Sequence, residues 1–195
     1  MKKSNYICTQ SWAVAFFLIF LVVGISSIAQ SGKSDNGQAN NQFVCLPCGS
    51  ECDNVTYSKP GNCEHCQMKL VEKSSVTFKN INPEKLCSYI AGNPGTLLLD
   101  VRTPAEFNGT AEVNFGRLKN ALNIPIQELE NRVDELKKYK NKEIIVYCSH
   151  SHRSPQASYL LTQHGFTKVT NMSGGMSVWD EKVTDKKCSD KFLIK

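Results

Sequence analysis

The sequence predicts an α/β fold in which helices flank a parallel sheet, preceded by a small cysteine-rich module. Beyond Lys73, short apolar runs alternate with stretches of helical periodicity, which is typical of buried strands joined by crossover helices. Five of the nine cysteines lie between positions 45 and 66. These two patterns divide the chain into a module with its own cysteine chemistry and a larger domain with a hydrophobic core.

Length and charge narrow the function classes. With 195 residues, 41% of them hydrophobic, the chain is long enough for one full-sized domain and a module. Two large domains and wholesale disorder are excluded. The net charge of +5 comes from 23 basic and 18 acidic residues without a dense basic block, so we expect no nucleic-acid partner.

The N-terminal residues indicate export. Residues 1–29 read as a signal peptide, because two early lysines precede an apolar run and no further charge occurs before Lys33. Small side chains precede Gln30, where we expect cleavage. An uncleaved membrane anchor is the alternative, since the apolar run is just long enough to span a bilayer. Residues 30–41 are polar and predict a flexible linker. The body is therefore expected to be periplasmic or secreted.

The cysteine-rich module, residues 42–73, carries two C-x-x-C pairs separated by fourteen residues. Cys45 and Cys48 form the first pair, and Cys63 and Cys66 form the second. This spacing is typical of four-cysteine zinc sites, and a proline–glycine turn before the second pair lets the chain fold back. The pattern predicts one structural zinc held by these four thiolates.

Other interpretations of the module stay open. Cys52 and His65 are additional candidate ligands, and two disulfides are the alternative in an exported chain. The segment resembles small heavy-metal-binding modules whose second half reads P-G-x-C-x-x-C-x-M-x-L, here residues 60–70. Those modules usually have a histidine where this chain has Cys48. The resemblance implies a zinc-ribbon-like knuckle, and the change to cysteine favours four sulfur ligands.

The larger domain, residues 74–184, shows strands and helices in alternation, followed by a polar tail at 185–195. Asn82 and Pro83 are good helix-start residues and Gly92 is a good end, so a first helix is expected between them. The later elements follow the same logic of apolar runs and helical spacing. They are a strand at 96–101, a helix at 126–139, a strand at 143–148, a helix from Ser154 to Gly165 and a strand at 166–171.

Cys148 is the candidate nucleophile. It ends a predicted buried strand, and ligand sites of parallel sheets lie beyond the carboxyl ends of the strands. A polar loop and a helix follow, so backbone N–H groups, the helix N-terminus and Arg153 favour negative charge on the sulfur. A buried structural thiol is the alternative. His150 and His152 either assist proton balance beside the sulfur or are exposed loop residues.

The region from about 76 to 179 resembles a single-domain rhodanese. The resemblance rests on residues 99–107, 121–125 and 147–154, on Gly174-Gly175 and on Trp179. It implies a rhodanese-like parallel sheet flanked by helices and a sulfurtransferase activity without an organic cofactor. It also implies that Cys148 carries a persulfide and that Arg153 helps bind an anionic donor, while Asp100 and Arg102 organise the fold. The implied cradle is Ser149, His150, Ser151, His152 and Arg153.

The length of the loop and two departures from the family pattern bear on the reaction. Cys148 to Arg153 spans six residues, one fewer than in the phosphatases and arsenate reductases of this fold, which resembles the sulfur-transferring class. Ser151 stands where the family often has glycine, and residues 116–120 also differ. We expect sulfur to pass from thiosulfate or a persulfide to a thiol acceptor. A non-catalytic metal- or redox-responsive binding protein is the main alternative, and a phosphatase or arsenate reductase is the third.

Three cysteines lie outside these two groups. Cys8 leaves with the signal peptide if cleavage occurs before Gln30. Cys87 lies in a predicted helix and Cys188 in the polar tail, and in an exported chain the two can bridge. Alternatively, a free Cys188 would resolve the persulfide on Cys148.

Overall fold

A computed structural model describes residues 41–195 of the chain. The predicted signal peptide and nearly all of the predicted linker lie outside this range. Within it, none of the helices combines the length and the hydropathy that crossing a bilayer requires.

The described residues form ten strands and six α-helices, connected by turns and short 3₁₀ segments. The strands are β1 Phe43–Val44, β2 Thr56–Tyr57, β3 Val71–Glu72, β4 Lys79–Ile81, β5 Leu97–Asp100, β6 Arg117–Leu118, β7 Leu122–Asn123, β8 Ile144–Tyr147, β9 Val169–Met172 and β10 Leu193–Ile194. The helices are α1 Leu86–Gly92, α2 Pro104–Phe107, α3 Ile126–Arg132, α4 Arg153–Gln163, α5 Trp179–Lys182 and α6 Lys186–Phe192.

A five-stranded parallel sheet in the order β4-β9-β8-β5-β7 organises the larger domain. Successive side chains of a strand point to opposite faces, so a strand buried on both sides needs a continuous apolar run. In β5, Leu97 and Leu99 join one hydrophobic core and Leu98 joins the other. This alternation confirms the predicted α/β fold with a parallel sheet.

Helices cover both faces of the sheet. On one face, α3 and α4 contribute Leu129 and Leu161 to the first core. On the other, α1, α5 and α6 contribute Leu86, Trp179 and Cys188 to the second. All of these side chains are almost fully buried, and each large one contributes roughly 1.5–3 kcal/mol by leaving water. The two layers hold the carboxyl ends of β5, β8 and β9 at one edge of the sheet.

Three predicted elements differ in detail from those observed. The first helix, expected between Asn82–Pro83 and Gly92, begins as a 3₁₀ turn at Pro83–Lys85 and becomes α-helical at Leu86. The predicted helix 126–139 is α-helical only to Arg132 and continues as a 3₁₀ segment, Val133–Tyr139. The strand predicted at 166–171 begins at Val169 instead, because Phe166 is buried in the core just after the αL turn at Gly165. An apolar run therefore predicted burial correctly but placed the start of strand pairing too early.

The C-terminal segment, predicted as a polar tail, is structured. It forms α6 and then β10, which pairs with β6 in an antiparallel ladder. A disulfide joins Cys87 of α1 to Cys188 of α6, with the two Cα atoms 5.9 Å apart. The pairing of Cys87 with Cys188, one of the two alternatives from the sequence, is the one observed.

The cysteine-rich module forms a three-stranded antiparallel sheet in the order β2-β1-β3. It packs on the larger domain, since Leu46 is 4% exposed and belongs to the same hydrophobic core as Phe78. Directly after the module, the hydroxyls of Ser75 and Tyr159 lie 3.1 Å apart. Leu46 of the module and Tyr159 of α4 line one cavity, so the module lies beside α4, the helix that follows the Cys148 loop. The predicted domain boundaries stay predictions.

Candidate active site and cysteine cluster

Cys148 lies directly after β8, at the edge of the sheet where parallel strands present their carboxyl ends. The residue is 1% exposed, and its thiol donates to Ser154 Oγ over 3.4 Å. Ser154 is itself fully buried in the first turn of α4. The sulfur therefore sits between a strand end, a hydroxyl group and the positive end of a helix dipole.

The turn between β9 and α5 is hydrogen-bonded to the start of the Cys148 loop. The backbone N–H of Met176 donates to the carbonyl of Cys148, and the N–H of Ser177 donates to the carbonyl of Ser149, each over 2.9 Å. Gly175 makes this approach possible: it has φ +66°, and a Cβ there would meet the carbonyl oxygens of Cys148 and Ser149. These bonds fix the orientation of the first two peptides of the loop.

Arg153 closes the loop through an ion pair. Its guanidinium donates to both carboxylate oxygens of Glu106, over 2.6 and 2.7 Å, and Ser149 Oγ donates to the same carboxylate over 2.8 Å. Glu106 also receives bonds from the backbone and hydroxyl of Thr103, which caps α2. The Arg153 guanidinium holds the pKa of the Glu106 carboxyl well below its usual range.

This pairing bears on the predicted role of Arg153. Both terminal nitrogens of its guanidinium are engaged with Glu106, so the charge is largely offset within the protein. The structure assigns Arg153 to holding the loop, and its contact with an anionic donor stays a prediction. No local sequence pattern predicts this network, because Glu106 and Arg153 are 47 residues apart.

A second, deeper ion pair organises the end of β5. Arg102 donates to both carboxylate oxygens of Asp100, the shortest bond being 2.7 Å, and to the carbonyl of Gly116. Both side chains are almost fully buried. Asn123, which the sequence analysis missed, joins the network by donating to the carbonyls of Asp100 and Arg102. These contacts agree with the structural role implied for Asp100 and Arg102.

The middle of the loop contains Ser151, which stands where the rhodanese pattern often has glycine. Ser151 has φ +58°, a left-handed conformation that glycine adopts without strain, and its buried hydroxyl has no hydrogen-bond partner among the described residues. His150 and His152 are exposed, and the His150 ring lies edge-on to Phe115 at 5.3 Å between centroids. The serine thus keeps the backbone path of a glycine.

Four cysteines of the module converge on one point. The sulfur atoms of Cys45, Cys52, Cys63 and Cys66 all lie within 4.8 Å of one another. The predicted ligand set contained Cys48 and left Cys52 open, whereas the structure places Cys52 in this group and Cys48 beside it, 3.6 Å from Cys52.

Cys52 takes the place of Cys48 in the cysteine group for a local structural reason. A 3₁₀ turn at Glu51–Asn54 directs Cys52 inward, and the Asp53 carboxylate holds the preceding loop by accepting from the N–H groups of Cys48 and Gly49. His65, the other open candidate ligand, is exposed and lies outside the cysteine group.

The chemistry of these four residues fits a zinc ion. Four thiolates at this separation match a tetrahedral sulfur site. Burial raises the pKa of Cys45 and raises that of Cys52 to about 12, so a divalent cation would supply the charge that stabilises these thiolates. At Cys63, burial acts in the same direction, but N–H groups of Cys66 and His65 outweigh it and lower the pKa to about 6.

The module and the Cys148 loop line a common cavity. A cavity of about 580 Å³ is lined by Cys48, Gly49 and Ser50 from the module and by His150 and His152 from the loop. The turns that follow β4 and β9 line the rest of it. A small molecule in this cavity is thus in contact with both cysteine-bearing segments.

With this geometry in place, comparison with known proteins identifies the class. A family model described as the rhodanese-like domain matches residues 83–182, just over half of the chain. The chain therefore belongs to the rhodanese-like family.

Several curated relatives align over the same stretch. The chain is 36% identical over 97 residues to "Uncharacterized protein YqhL" of Bacillus subtilis, covering 50% of this chain and 71% of that protein. It is 33% identical over 99 residues to a "Sulfurtransferase" of Allochromatium vinosum, covering 51% and 85%. A "Putative thiosulfate sulfurtransferase, mitochondrial" of Schizosaccharomyces pombe is 30% identical, with coverage of 49% and 70%.

The same domain occurs in other settings. A "tRNA uridine(34) hydroxylase" of Escherichia coli is 29% identical over 107 residues, but only 29% of its length is covered. Among solved structures, a rhodanese-related protein of Thermoplasma volcanium is 32% identical, with a TM-score of 0.45 and coverage of 54% of this chain and 93% of that one. Rhodanese-like relatives thus include sulfurtransferases and at least one enzyme with a different reaction.

Proposed function

We propose that the protein is an exported sulfurtransferase that moves a sulfane sulfur through a persulfide on Cys148. The observation that carries this proposal is the position of Cys148, at the start of the six-residue segment 148–153 that runs from the end of β8 to the first residue of α4, with Ser154 Oγ 3.4 Å from its sulfur. Two of the relatives that match this domain are described as sulfurtransferases.

The first half of the reaction loads the sulfur. The Cys148 thiolate attacks the outer sulfur of thiosulfate, a sulfur–sulfur bond forms, and the bond to the sulfonate group breaks so that sulfite leaves with its electron pair. The terminal sulfur of the persulfide then carries the negative charge. Loop N–H groups and the α4 dipole stabilise this charge, and the Ser154 hydroxyl donates to the sulfur once the thiol has lost its proton.

The second half returns the enzyme to its starting state. A nucleophilic acceptor, which we take to be a thiol reacting as its thiolate, attacks the terminal sulfur and expels the Cys148 thiolate. No separate general base is required when both nucleophiles react as anions, and no general acid is required because both leaving groups are stable anions. We take the acceptor to approach through the cavity beside this loop, which the exposed His150 and His152 line together with the module.

We further propose that Cys45, Cys52, Cys63 and Cys66 hold one structural zinc. Their mutual separation below 4.8 Å supports this ligand set. A closed four-sulfur site supplies stability and no open coordination position. It would fix residues 48–50, which line the cavity beside the Cys148 loop, so we propose that its role is to shape this wall.

Export is proposed on two grounds. Residues 1–29 have the sequence of a signal peptide. The Cys87–Cys188 disulfide is of the kind that persists in oxidising compartments. In such a compartment, bound metal also keeps four closely spaced thiols from bridging.

One feature favours a second candidate, a metal- or redox-responsive binding protein. Cys148 is 1% exposed and Arg153 is engaged with Glu106, which would suit a closed sensing surface. Turnover separates the two: the sulfurtransferase forms thiocyanate from thiosulfate and cyanide, and Cys148→Ser abolishes this activity. A wild-type protein without turnover, or a fully active Cys148→Ser variant, contradicts the proposal. Turnover of an aryl phosphate or arsenate would favour the phosphatase or reductase alternative.

A further inference from the structure

The module contains five buried or half-buried thiols, one more than a tetrahedral site takes. Cys48 is the surplus thiol: it lies outside the group formed by Cys45, Cys52, Cys63 and Cys66. Its sulfur is 3.6 Å from that of Cys52, which does belong to the group. Cys52 thus has two alternative partners, the metal that the four thiols would hold and the thiol of Cys48.

Cys66 is the most exposed thiol of the module, but it belongs to the four-thiol group. Cys48, which is 4% exposed, lines the 580 Å³ cavity beside the Cys148 loop, whereas the four grouped cysteines do not line it. A thiolate bound to zinc is a weaker nucleophile than a free one, so the four ligands are protected while the metal is bound. Freedom from the metal, together with its place at the cavity, therefore singles out Cys48.

We propose that Cys48 and Cys52 form a reversible disulfide that removes Cys52 from the zinc site and releases the metal. This inference rests on the zinc site proposed above. Its reactant is a small two-electron oxidant of the peroxide class, which enters through the cavity.

The chemistry balances in two steps. Cys48 is oxidised to a sulfenic acid as the peroxide oxygen–oxygen bond breaks and water is released. The Cys52 sulfur then attacks the Cys48 sulfur, the bond of Cys52 to zinc breaks, and hydroxide leaves. Two electrons have passed from the two sulfurs to the peroxide, and a thiol reductant reverses the change. Three cysteines remain at the zinc, too few for a closed tetrahedral site.

A second pair of thiols, Cys45 and Cys66, is also close enough to form a disulfide on oxidation. The sulfur atoms of Cys45 and Cys66 lie 3.2 Å apart, closer than those of Cys48 and Cys52. Both belong to the four-thiol group, so they are protected as long as it holds zinc. Oxidation of the metal-free module would join Cys45 to Cys66, whereas oxidation of the zinc-bound module joins Cys48 to Cys52.

The test measures zinc content and disulfide positions in the full chain, loaded with zinc and freed of excess metal. After one equivalent of hydrogen peroxide, the wild type should lose its zinc and yield a Cys48–Cys52 bridge in peptide mass spectra. Reductant and added zinc should restore it. Cys48→Ser should bind zinc with the same stoichiometry and lose it about tenfold more slowly, because its remaining module thiols are metal ligands. Cys148→Ser, which removes a buried thiol outside the module, should lose zinc and form the Cys48–Cys52 bridge as the wild type does, although it lacks sulfur-transfer activity.

The remaining outcomes distinguish failure of the zinc site from failure of the disulfide inference. An untreated wild type without zinc contradicts the zinc site and with it the inference. A zinc-bound wild type with a Cys45–Cys66 bridge, or a Cys48→Ser variant that loses zinc as fast as the wild type, overturns the inference alone. If Cys48→Ser fails to bind zinc while Cys52→Ser binds it, Cys48 and not Cys52 is the zinc ligand, and the inference is overturned. Cys48→Ala, checked by circular dichroism, separates a folding defect from these outcomes.

Discussion

At the scale of single residues, the candidate chemistry depends on how one sulfur is placed. Cys148 is held by the end of β8 and contacts Ser154, whose hydroxyl has its only side-chain contact with this sulfur among the described residues. A hydrogen bond to a charged partner contributes more than one between neutral groups. Ser154 is therefore a positioning residue for the thiolate and for the persulfide that replaces it.

Ser154→Ala should slow sulfur loading from thiosulfate by about 10- to 100-fold, since the loss of a hydrogen bond to a charged group costs roughly 1.5–3 kcal/mol. Single-turnover release of sulfite measures this rate. Ser158→Ala is the matched control, because Ser158 is equally buried in α4 and its hydroxyl has no partner among the described residues. Ser154→Thr should restore most of the rate. Equal rates for the two alanine variants would rule out the role of Ser154.

Glu106 makes a pH dependence testable at the same scale. Its pair with Arg153 lowers its pKa below the ordinary value of 4.5, so the pair adds stability above that pH and loses it as the pH falls through the lowered pKa. Glu106→Gln should therefore destabilise the protein at pH 7, and the difference from the wild type should shrink below about pH 4.5. Urea unfolding at several pH values measures it. A difference that stays constant down to pH 3 contradicts this account.

At the scale of elements, the site is built where secondary-structure elements end. The loop 148–153 joins β8 to α4, the turn after β9 supports it, and α2 presents Glu106 to it. The turn contributes two backbone hydrogen bonds and α2 contributes the Glu106 carboxylate, so the loop is held from two sides in addition to its own ends. Its geometry depends on how closely these segments approach one another.

Gly175→Ala should disrupt this approach, because a Cβ there would lie 2.5 Å from the carbonyl oxygen of Cys148. Gly95→Ala is the matched control: Gly95 also has a positive φ, +87°, but nothing lies within 4 Å of its Cβ position. Both variants carry a backbone cost of roughly 1 kcal/mol. Only Gly175→Ala should also lose most of the sulfur-transfer activity. Equal activity in the two variants would show that the close approach is not needed.

The sequence predicted the elements better than the contacts between them. The Cys148 loop was predictable, because an apolar strand, a polar loop and a helix start are local signals. The choice of Cys52 over Cys48 depends on a 3₁₀ turn that no apolar pattern marks. The ion pair of Glu106 and Arg153 joins segments 47 residues apart in the sequence, and a local sequence pattern cannot predict a contact over that separation.

At the scale of the whole molecule, one hydrophobic contact and one disulfide tie the ends of the described chain to the rest of the structure. Leu46 anchors the module in the hydrophobic core, and the Cys87–Cys188 disulfide anchors the C-terminal helix. The helix α6 escaped sequence prediction because its sequence is mostly polar. Its place is set by the disulfide, by buried Cys188 and by the pairing of β10 with β6.

Cys188→Ser should lower the free energy of unfolding by about 2–4 kcal/mol, because the disulfide closes a loop of 101 residues and so restricts the unfolded chain. Urea unfolding without reductant measures the loss. The double variant Cys87→Ser, Cys188→Ser should be destabilised by the same amount, and reductant should weaken the wild type but neither variant. If reductant leaves the wild-type stability unchanged, the bridge does not contribute as proposed.

The central claim is that Cys148 carries the transferred sulfur. Mass spectrometry of the intact protein after incubation with thiosulfate tests it most directly, followed by peptide mapping of the added mass. We expect one added sulfur on Cys148, removed by cyanide and absent from Cys148→Ser. An added sulfur located on another cysteine, or an unmodified wild type, would contradict the claim.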